Sequence, residues 1–564
     1  MQLSFRFVCG FLAALLLIAG LQLAPAEASA ATYYVGSFSG STPADDPDCG
    51  TGKGAHPSAH PCATLSYWTS SRRSVLQAGD VVRLTGNFGP SSSAGQCIIP
   101  APNVTYEGRT AADGVADNYT SVVIDAANTA AAAPCFASAI RCSTGCDFTN
   151  FTLRDMTLKN SPGTSGNGNF LLALDKVMGG LVIDRVRFTG ARSAGLIIGT
   201  VDDNENTPCN GQRRTQNITV MDSSFDGNLG LAGLWVGCVD GGTITRSQFN
   251  NNGPSTNCED GDGLHIGGWV NGTVSESTAH DNCEDNFDFS GNGGAVCDGA
   301  TSNLIADRLV AYNGKNANYS FNHCVFNITL RNSYSWGYGQ GFNQYACANR
   351  LKVHNNTFWQ TSSRAAMIYQ NCRGCDLRNN IFRSDNADVA VFVDVVTTAP
   401  ETTWQNNVVV QQGSGGLIAE YQGGCPSASS CDVSPCPSSD PQSPGLPPNW
   451  NVRSNAGNKI MTGQLATFQS GGDQGQWFGS ESGKTDKWGL PAVVNGASPS
   501  VANLHLVEAD TISRGNGQAL SPPFVDVDGD QRPVSGAWDI GADFFAAGGS
   551  GVAPPTLISV SPLP

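Results

Sequence analysis

Acidic side chains are concentrated in two short stretches of this chain, where they could hold a hard cation. The first is residues 259–266, with the sequence EDGDGLHI, and the second is residues 281–289, DNCEDNFDF. Carboxylates this close together repel one another unless protons or a cation lie between them. Carboxylate oxygens are also the ligands that Ca²⁺ prefers in proteins. The two stretches therefore predict a calcium site.

The elements that must position these residues recur along residues 147–412. Each repeat has alternating apolar residues, a polar pair that often contains Asn, and a last apolar or small residue before a turn. That last position falls at Leu158, Phe188, Phe225, Phe249, Ala279, Ala311, Ser335, Phe358, Phe382 and Val409. The shortest spacing, 23 residues, is that of one coil of a parallel β-helix. The period-two alternation predicts strands with one face in a core, and the Asn predicts a ladder of amides between coils. A β-sandwich or a propeller is the alternative fold.

Stacking the second strand of each coil brings the candidate functional residues together. One inward ladder is then Leu234, Leu264, Phe287, Phe321 and Phe342. The next position along each strand gives an outward row of Trp235, His265, Asp288, Asn322 and Asn343. Asp262, Glu284 and Asp285 lie in the turns that lead into these strands. Coils are about 4.8 Å apart, so neighbouring members of the row should be close. An aromatic ring, an imidazole, carboxylates and amides on one strip predict a groove that binds a sugar chain.

The remaining sequence divides around this repeat. Residues 1–30 have the charge, apolar run and small-residue cleavage site of a secretory signal, which predicts a secreted, extracellular protein without a membrane span. The predicted parts are a signal peptide at 1–30, an N-terminal cap with the first coils at 31–146, the β-helix core at 147–412, a loop rich in Cys, Pro, Gly and Ser at 413–457, C-terminal coils with a closing segment at 458–547, and a linker or tail at 548–564.

The net charge limits the classes of binding partner, and the cysteine content predicts disulfide bonds. The net charge of −16 argues against nucleic acid, because phosphate binding needs a basic surface. Of the 19 cysteines, Cys9 lies in the predicted signal, and the even remainder in an exported chain predicts disulfides. Pairs that could bridge locally are Cys142/Cys146, Cys372/Cys375 and Cys431/Cys436.

The two acidic stretches resemble the family-nine pectate lyases, which are right-handed parallel β-helix enzymes with a calcium site of four acidic residues. The resemblance covers about residues 250–360 and is strongest in Asp262-Gly263-Leu264 and in residues 282–288. It implies that the calcium ligands are Asp262, Glu284, Asp285 and Asp288. The position that matches the family's catalytic lysine is Asn322, which cannot take up a proton.

The resemblance implies a lyase that cleaves an acidic, pectate-like polysaccharide by calcium-assisted β-elimination. We expect the protein to be a monomer. Its base must then be another residue, and we expect His265 first and His323 second, since histidine titrates near neutrality. Lys315 could also reach the site from its turn. A C5 epimerase needs the same base and cation and is an alternative. A non-catalytic glycan-binding or structural β-helix and a glycoside hydrolase are the others.

Overall fold

Short β-strands make up most of this chain, which is described here from a computed structural model. The described residues are 30–45, 47–49, 60–68, 71, 73–89, 101–115, 119, 121–125, 148–161, 170–174, 177–199, 209, 215–253, 258, 261–291, 300–322, 324–344, 348–361, 366–370, 375–385, 390–394, 403–411, 418–421, 458–461, 487–488, 493–495, 503–521 and 524–545. The helical segments among them are one α-helical turn, Leu65–Tyr67, and one 3₁₀ turn, Arg73–Val75. The Thr64 hydroxyl caps the first by accepting the N–H of Tyr67 at 3.2 Å.

Parallel strands form three faces along the solenoid, and the first carries the candidate functional residues. We call it the site face. Each of its strands pairs in parallel with its counterpart in the next coil. Its strands are Leu172–Leu174, Ala194–Ile198, the first parts of Ala232–Thr245 and Asp262–Ser275, Phe287–Ser290, Ala317–Phe321, Gln340–Gln344, Met367–Gln370, Val391–Asp394 and Ile418–Tyr421, followed by Asn458–Met461, which pairs antiparallel with Ile418–Tyr421.

The second and third faces complete each coil. The second face contains Thr32–Gly36, Thr105–Gly108, Thr215–Met221, Thr301–Ser302, Ile305–Asp307, Val325–Phe326, Thr329–Arg331, Lys352–His354, Asp376–Arg378 and Thr403–Gln405, with the last parts of Ala232–Thr245 and Asp262–Ser275. The third face contains Val122–Asp125, Ser224–Asp226, Gln248–Asn250, Thr278–His280, Val310–Tyr312, Tyr334–Gly337, Thr357–Gln360, Ile381–Ser384, Val408–Gln411 and Lys487–Trp488. The long strands Val81–Phe88, Phe148–Lys159 and Val177–Thr189 run from the second face into the third.

The register of the third face confirms the predicted repeat. The last position of each repeat, from Leu158 to Phe382, is the direct Cα partner of the same position in the next repeat, and the series ends at Val409. The insertions that lengthen some coils therefore lie outside the paired strands. The parallel β-helix predicted from the sequence is confirmed, and the sandwich and propeller alternatives are wrong.

Aromatic rings and amides hold successive coils in register inside the solenoid. The Phe225 ring stacks between those of Phe188 and Phe249, with centroids 5.0 and 5.2 Å away. The predicted amide ladder is also confirmed: the Asn228 amide donates to Asn252 Oδ1 at 2.9 Å, and the Asn252 amide donates to Asn282 Oδ1 at 2.9 Å. These side chains are buried, so each hydrogen bond satisfies a group that water cannot reach.

The C-terminal segment returns to the third face. It contains two small antiparallel pairs, Val493–Asn495 with Asn503–Leu506 and Gly517–Gln518 with Ala537–Trp538. The Asn379 side chain exchanges two hydrogen bonds of 2.8 Å with the backbone of Gln518. Hydrogen bonds between residues more than a hundred positions apart therefore attach this segment to the coils.

Several predicted features lie outside the described residues: residues 1–29 of the signal, residues 422–457 of the loop and residues 546–564. The remaining part of the predicted loop includes the strand Ile418–Tyr421, which continues the site face. Disulfides join Cys49 to Cys62, Cys209 to Cys238 and Cys258 to Cys283. Of the predicted local cysteine pairs, only Cys375 is described, and it is disulfide-bonded. The helices described here are too short to cross a membrane.

Candidate functional site

The predicted row of polar residues lies on the site face, with one change of register. Trp235 is the Cα partner of His265, and His265 is the partner of Asp288. The next two partners are Ser320 and Asn343. Each residue of the row is next to a residue of the hydrophobic core along its strand. The row therefore lies on the face of the strands that points away from the core.

The prediction that Asn322 belongs to this row is wrong. Phe287 pairs with Tyr319 and Phe289 pairs with Phe321, so the row position falls on Ser320. Tyr319 can occupy the core because its hydroxyl donates a hydrogen bond to a backbone carbonyl, that of Tyr334, at 2.8 Å. Asn322 still reaches the site, since its amide donates to Asp288 Oδ1 at 3.0 Å.

His265 lies between two carboxylates. Its Nδ1 is 2.9 Å from Asp262 Oδ2 and 2.9 Å from Asp288 Oδ2. All three side chains are buried, at 4–5% exposure. The other ring nitrogen, Nε2, is also buried and has no hydrogen-bond partner among the described residues. The imidazole therefore has one nitrogen held by carboxylates and one buried nitrogen without a partner among the described residues.

Asp285 is fixed beside this group by the backbone of two coils. Its Oδ1 accepts the N–H of Ala317 at 2.7 Å, and its own N–H donates to Asp262 Oδ1 at 3.0 Å. The Cys258–Cys283 disulfide lies at the start of the same turn. Glu284 is half-buried, and neither it nor Asp285 belongs to the group of ligand atoms, from Asp262, His265 and Asp288, that lie within 4.8 Å of one another.

Burial and mutual repulsion dominate the electrostatics of these groups. Burial raises the pKa of Asp262 to about 6, and the negative charge of Asp288 adds to this. Burial, followed by the charges of Asp262 and Asp288, raises the pKa of Asp285 well above its ordinary value. Burial alone would lower the pKa of His265, but its hydrogen bonds to Asp262 and Asp288 raise it well above its ordinary value. The site therefore favours extra positive charge.

Lysine and arginine do not supply that charge in the part of the chain described. The ion pairs of Asp262 and Asp288 are with His265. Lys315, which the sequence offered as a group that might reach over, has its Nζ 3.2 Å from Cys258 Sγ and 3.4 Å from Cys283 Sγ. It lies on the disulfide rather than on the carboxylates.

The remaining predicted residues have different environments. The Trp235 ring stacks on the His265 ring with centroids 3.8 Å apart, and it packs in an apolar cluster with Ile197. Trp235 is 7% exposed, so much of its surface is unavailable to a sugar. Asn343 is half-buried in the row, and His323 lies outside the described residues. Sequence reasoning missed Ser320, because the alternation of Tyr319 and Phe321 shows only that Ser320 faces away from the core and not which residue pairs with Asp288.

Solved structures similar to this chain are β-helix proteins of low sequence identity. A mannuronan C-5 epimerase from Azotobacter vinelandii, the AlgE6 A-module, is 13% identical with a TM-score of 0.44, over 63% of this chain and 90% of that one. Pectate lyase Pel9A is 12% identical with a TM-score of 0.42, over 91% and 97%. A rhamnogalacturonan lyase is 12% identical with a TM-score of 0.36, over 67% and 87%. No family model and no curated protein sequence matches the chain. These similarities concern the fold.

Proposed function

We propose that this protein is a secreted polysaccharide lyase that cleaves an acidic, uronic-acid polymer of the pectate type by calcium-assisted β-elimination. The observation that carries the proposal is the convergence of Asp262 and Asp288 on His265 in a buried site, with Asp285 held beside Asp262. One imidazolium cannot balance three carboxylates, and unbalanced buried charge is costly. A divalent cation would balance it.

The donor atoms suit calcium. Asp262, Asp285 and Asp288 each have one carboxylate oxygen anchored by an N–H group of the protein, which orients the other oxygen. Glu284 is half-buried next to Asp285 and would complete an acidic ligand set. Hard oxygen donors of this kind are the ligands that Ca²⁺ prefers. Bound Ca²⁺ would hold the uronate carboxylate and acidify the neighbouring C5–H.

His265 is the best-placed base on this face. Hydrogen bonds to Asp262 and Asp288 favour the protonated ring, and a cation held by these carboxylates would offset that effect. The neutral ring would then keep its proton on Nδ1, which faces the two carboxylates, and present Nε2 as the acceptor. The stacked Trp235 ring fixes the plane of the imidazole. His323, which is the second candidate base from the sequence, stays a prediction.

Amide groups beside the base would position the sugar. Asn322 bridges Asp288 and Ser320, with its amide nitrogen 3.0 Å from Asp288 Oδ1 and 3.3 Å from Ser320 Oγ. Asn343 is half-buried one coil beyond Ser320. We therefore assign the hydrogen bonds to the sugar to Asn322 and Asn343. Trp235 packs against His265, so we assign its indole the role of positioning the base.

The test is an ultraviolet assay for unsaturated uronate ends. The full-length protein is incubated with polygalacturonate and with other polyuronates, first with Ca²⁺ and then with EDTA. We expect a calcium-dependent rise in absorbance that falls by about 10²–10⁴-fold in His265→Ala, the usual contribution of a general base. The matched control is His280→Ala, since His280 is a half-buried histidine on the third face, where it pairs with Asp281.

Three results would refute the lyase proposal. They are no absorbance change on any polyuronate, full activity in EDTA, and full activity in a folded His265→Ala variant. Inverted C5 configuration without unsaturated ends, measured by NMR of the product, would instead identify an epimerase.

A glycan-binding or structural β-helix without turnover is the second candidate. The burial of Asp262, His265 and Asp288 favours it, because a base must reach its substrate. This candidate predicts saturable polyuronate binding with no unsaturated product. It also predicts that His265→Ala changes stability more than binding.

A further inference from the structure

A second cluster of metal-binding side chains lies where the C-terminal segment meets the coils. His505 Nδ1 is 3.0 Å from Asp528 Oδ2 and 3.2 Å from Asp543 Oδ1. These three ligand atoms lie within 4.8 Å of one another. The cluster is far along the chain from the site face, and the proposed lyase does not use it.

Two buried oxygen atoms at this cluster have no hydrogen-bond partner in the described structure. One is Asp528 Oδ1, on a side chain that is 8% exposed. The other is the hydroxyl of Tyr334, a residue that is 7% exposed and whose ring lies edge-on to that of His505. Buried oxygens without partners are what a bound ligand would satisfy.

The neighbouring Asp526 is not available as a ligand. Its Oδ1 accepts the N–H groups of Asp528 and Asp530 at 2.9 and 2.8 Å, and its Oδ2 accepts that of Phe544 at 3.0 Å. The run Asp526, Asp528 and Asp530 is therefore a turn organised by its first carboxylate. That turn directs Asp528 towards His505.

We infer that His505, Asp528, Asp543 and Tyr334 form a binding site for a divalent transition metal such as Zn²⁺. An imidazole nitrogen, two carboxylate oxygens and one phenol oxygen make a set of four donors, the number that a tetrahedral zinc site needs. Calcium binds six to eight oxygens, and this cluster offers too few. Donors bound to tetrahedral zinc at about 2.0–2.2 Å lie about 3.3–3.6 Å from one another. The distances from His505 Nδ1 to the two carboxylates are close to this value.

The bound metal would fasten the C-terminal segment to the solenoid. His505 belongs to the strand Asn503–Leu506, Asp528 to the turn, and Asp543 to the last described residues, while Tyr334 belongs to a coil strand of the third face. Asp543 is already oriented, because its Oδ2 accepts the N–H of Leu506 at 2.7 Å. Four parts of the chain would thus meet at one ion.

Zinc titration of the full-length protein tests this site. Metal-free wild type, Asp528→Asn, Asp530→Asn and Asp288→Asn are titrated with ZnCl₂, and bound zinc is counted by mass spectrometry after dialysis. Asp530 is the matched control, since it is an exposed aspartate of the same turn. The Asp288→Asn variant distinguishes zinc bound on the site face from zinc bound at the C-terminal cluster. We expect Asp528→Asn to lose one equivalent of zinc, or at least tenfold in affinity, while the other two variants keep it.

Thermal unfolding is a second, independent test of zinc binding at this cluster. Zinc should raise the melting temperature of wild type and Asp530→Asn but not that of Asp528→Asn. If Asp528→Asn does not fold, Co²⁺ replaces Zn²⁺ in the Asp288→Asn protein, and a visible absorption spectrum of tetrahedral cobalt supports the site. Equal zinc binding by wild type and Asp528→Asn, no cobalt spectrum, or binding of Ca²⁺ in preference to Zn²⁺ would overturn the inference. His505 would then be an imidazolium paired with two carboxylates.

Discussion

Replacing Asn282 by alanine would break the amide ladder directly beneath the acidic turn. The Asn282 side chain is fully buried and makes four hydrogen bonds. Its Oδ1 accepts the backbone N–H and the amide of Asn252 at 3.0 and 2.9 Å. Its amide donates to the Phe249 carbonyl at 2.8 Å and to Asn286 Oδ1 at 2.7 Å.

The expected loss of stability follows from the groups left without partners. The Asn252 N–H and Asn286 Oδ1 both become buried and unpaired, whereas the Asn252 amide keeps its bond to the Phe225 carbonyl at 3.0 Å. Each unpaired buried group costs about 1–3 kcal/mol. Asn282→Ala should therefore lower the free energy of unfolding by about 2–6 kcal/mol.

Equilibrium unfolding in urea, followed by circular dichroism, measures this change from the midpoint shift. The control is Asn303→Gly, which removes an amide from an exposed ladder position. Asn303 has a φ of 56°, a conformation that glycine adopts without strain, and this change should cost at most about 1 kcal/mol. A loss in Asn282→Ala no larger than in the control would refute the reasoning that the inner ladder stabilises the coils.

Two further changes test the core and the N-terminal coils. Phe225→Ala removes a fully buried ring from the stack and should cost about 3–5 kcal/mol in urea unfolding, whereas Leu229→Ala, at a position that is 44% exposed, should cost less than about 0.5 kcal/mol; similar losses in the two variants would contradict this. Burial alone would raise the pKa of Glu107, but hydrogen bonds from three arginines, Arg109 foremost, lower it below its ordinary 4.5. The folded state then binds fewer protons than the unfolded state, so this stabilisation is present above pH 4.5 and is lost as the pH falls through the lower folded pKa. Glu107→Gln should lose about 3–5 kcal/mol at neutral pH and show less acid destabilisation than wild type in thermal unfolding; parallel pH profiles would contradict the assignment.

The sequence was sufficient to predict the repeat because the core repeats its chemistry. The same place in each coil holds an inward side chain, which is apolar in most coils. Phe225 stacks on Phe249 there, and Phe358 stacks on Phe382. A shift by one residue would turn these side chains out of the core, so alternation fixes which face is buried.

Alternation could not fix the register of the coil that contains Ser320. Tyr319 and Phe321 both point inward, so a shift by two residues keeps the same face in the core. The length of the preceding turn decides between them, and its path is not readable from composition. The C-terminal cluster could not be predicted as a whole, because His505 and Asp543 approach Asp528 only after the chain has folded back.

The attachment of the C-terminal segment also orders the events of folding. Pairing within the solenoid joins residues about one coil apart, as in the 24-residue separation of Asn228 and Asn252. The hydrogen bond between Asn379 and Gln518 spans 139 residues, and that between Ala542 and Thr357 spans 185. Contacts this remote close slowly, because the entropy of a long loop is lost before they form. The coils can therefore assemble first by local propagation. The C-terminal segment docks last, because the surface that it contacts forms only when the coils have assembled.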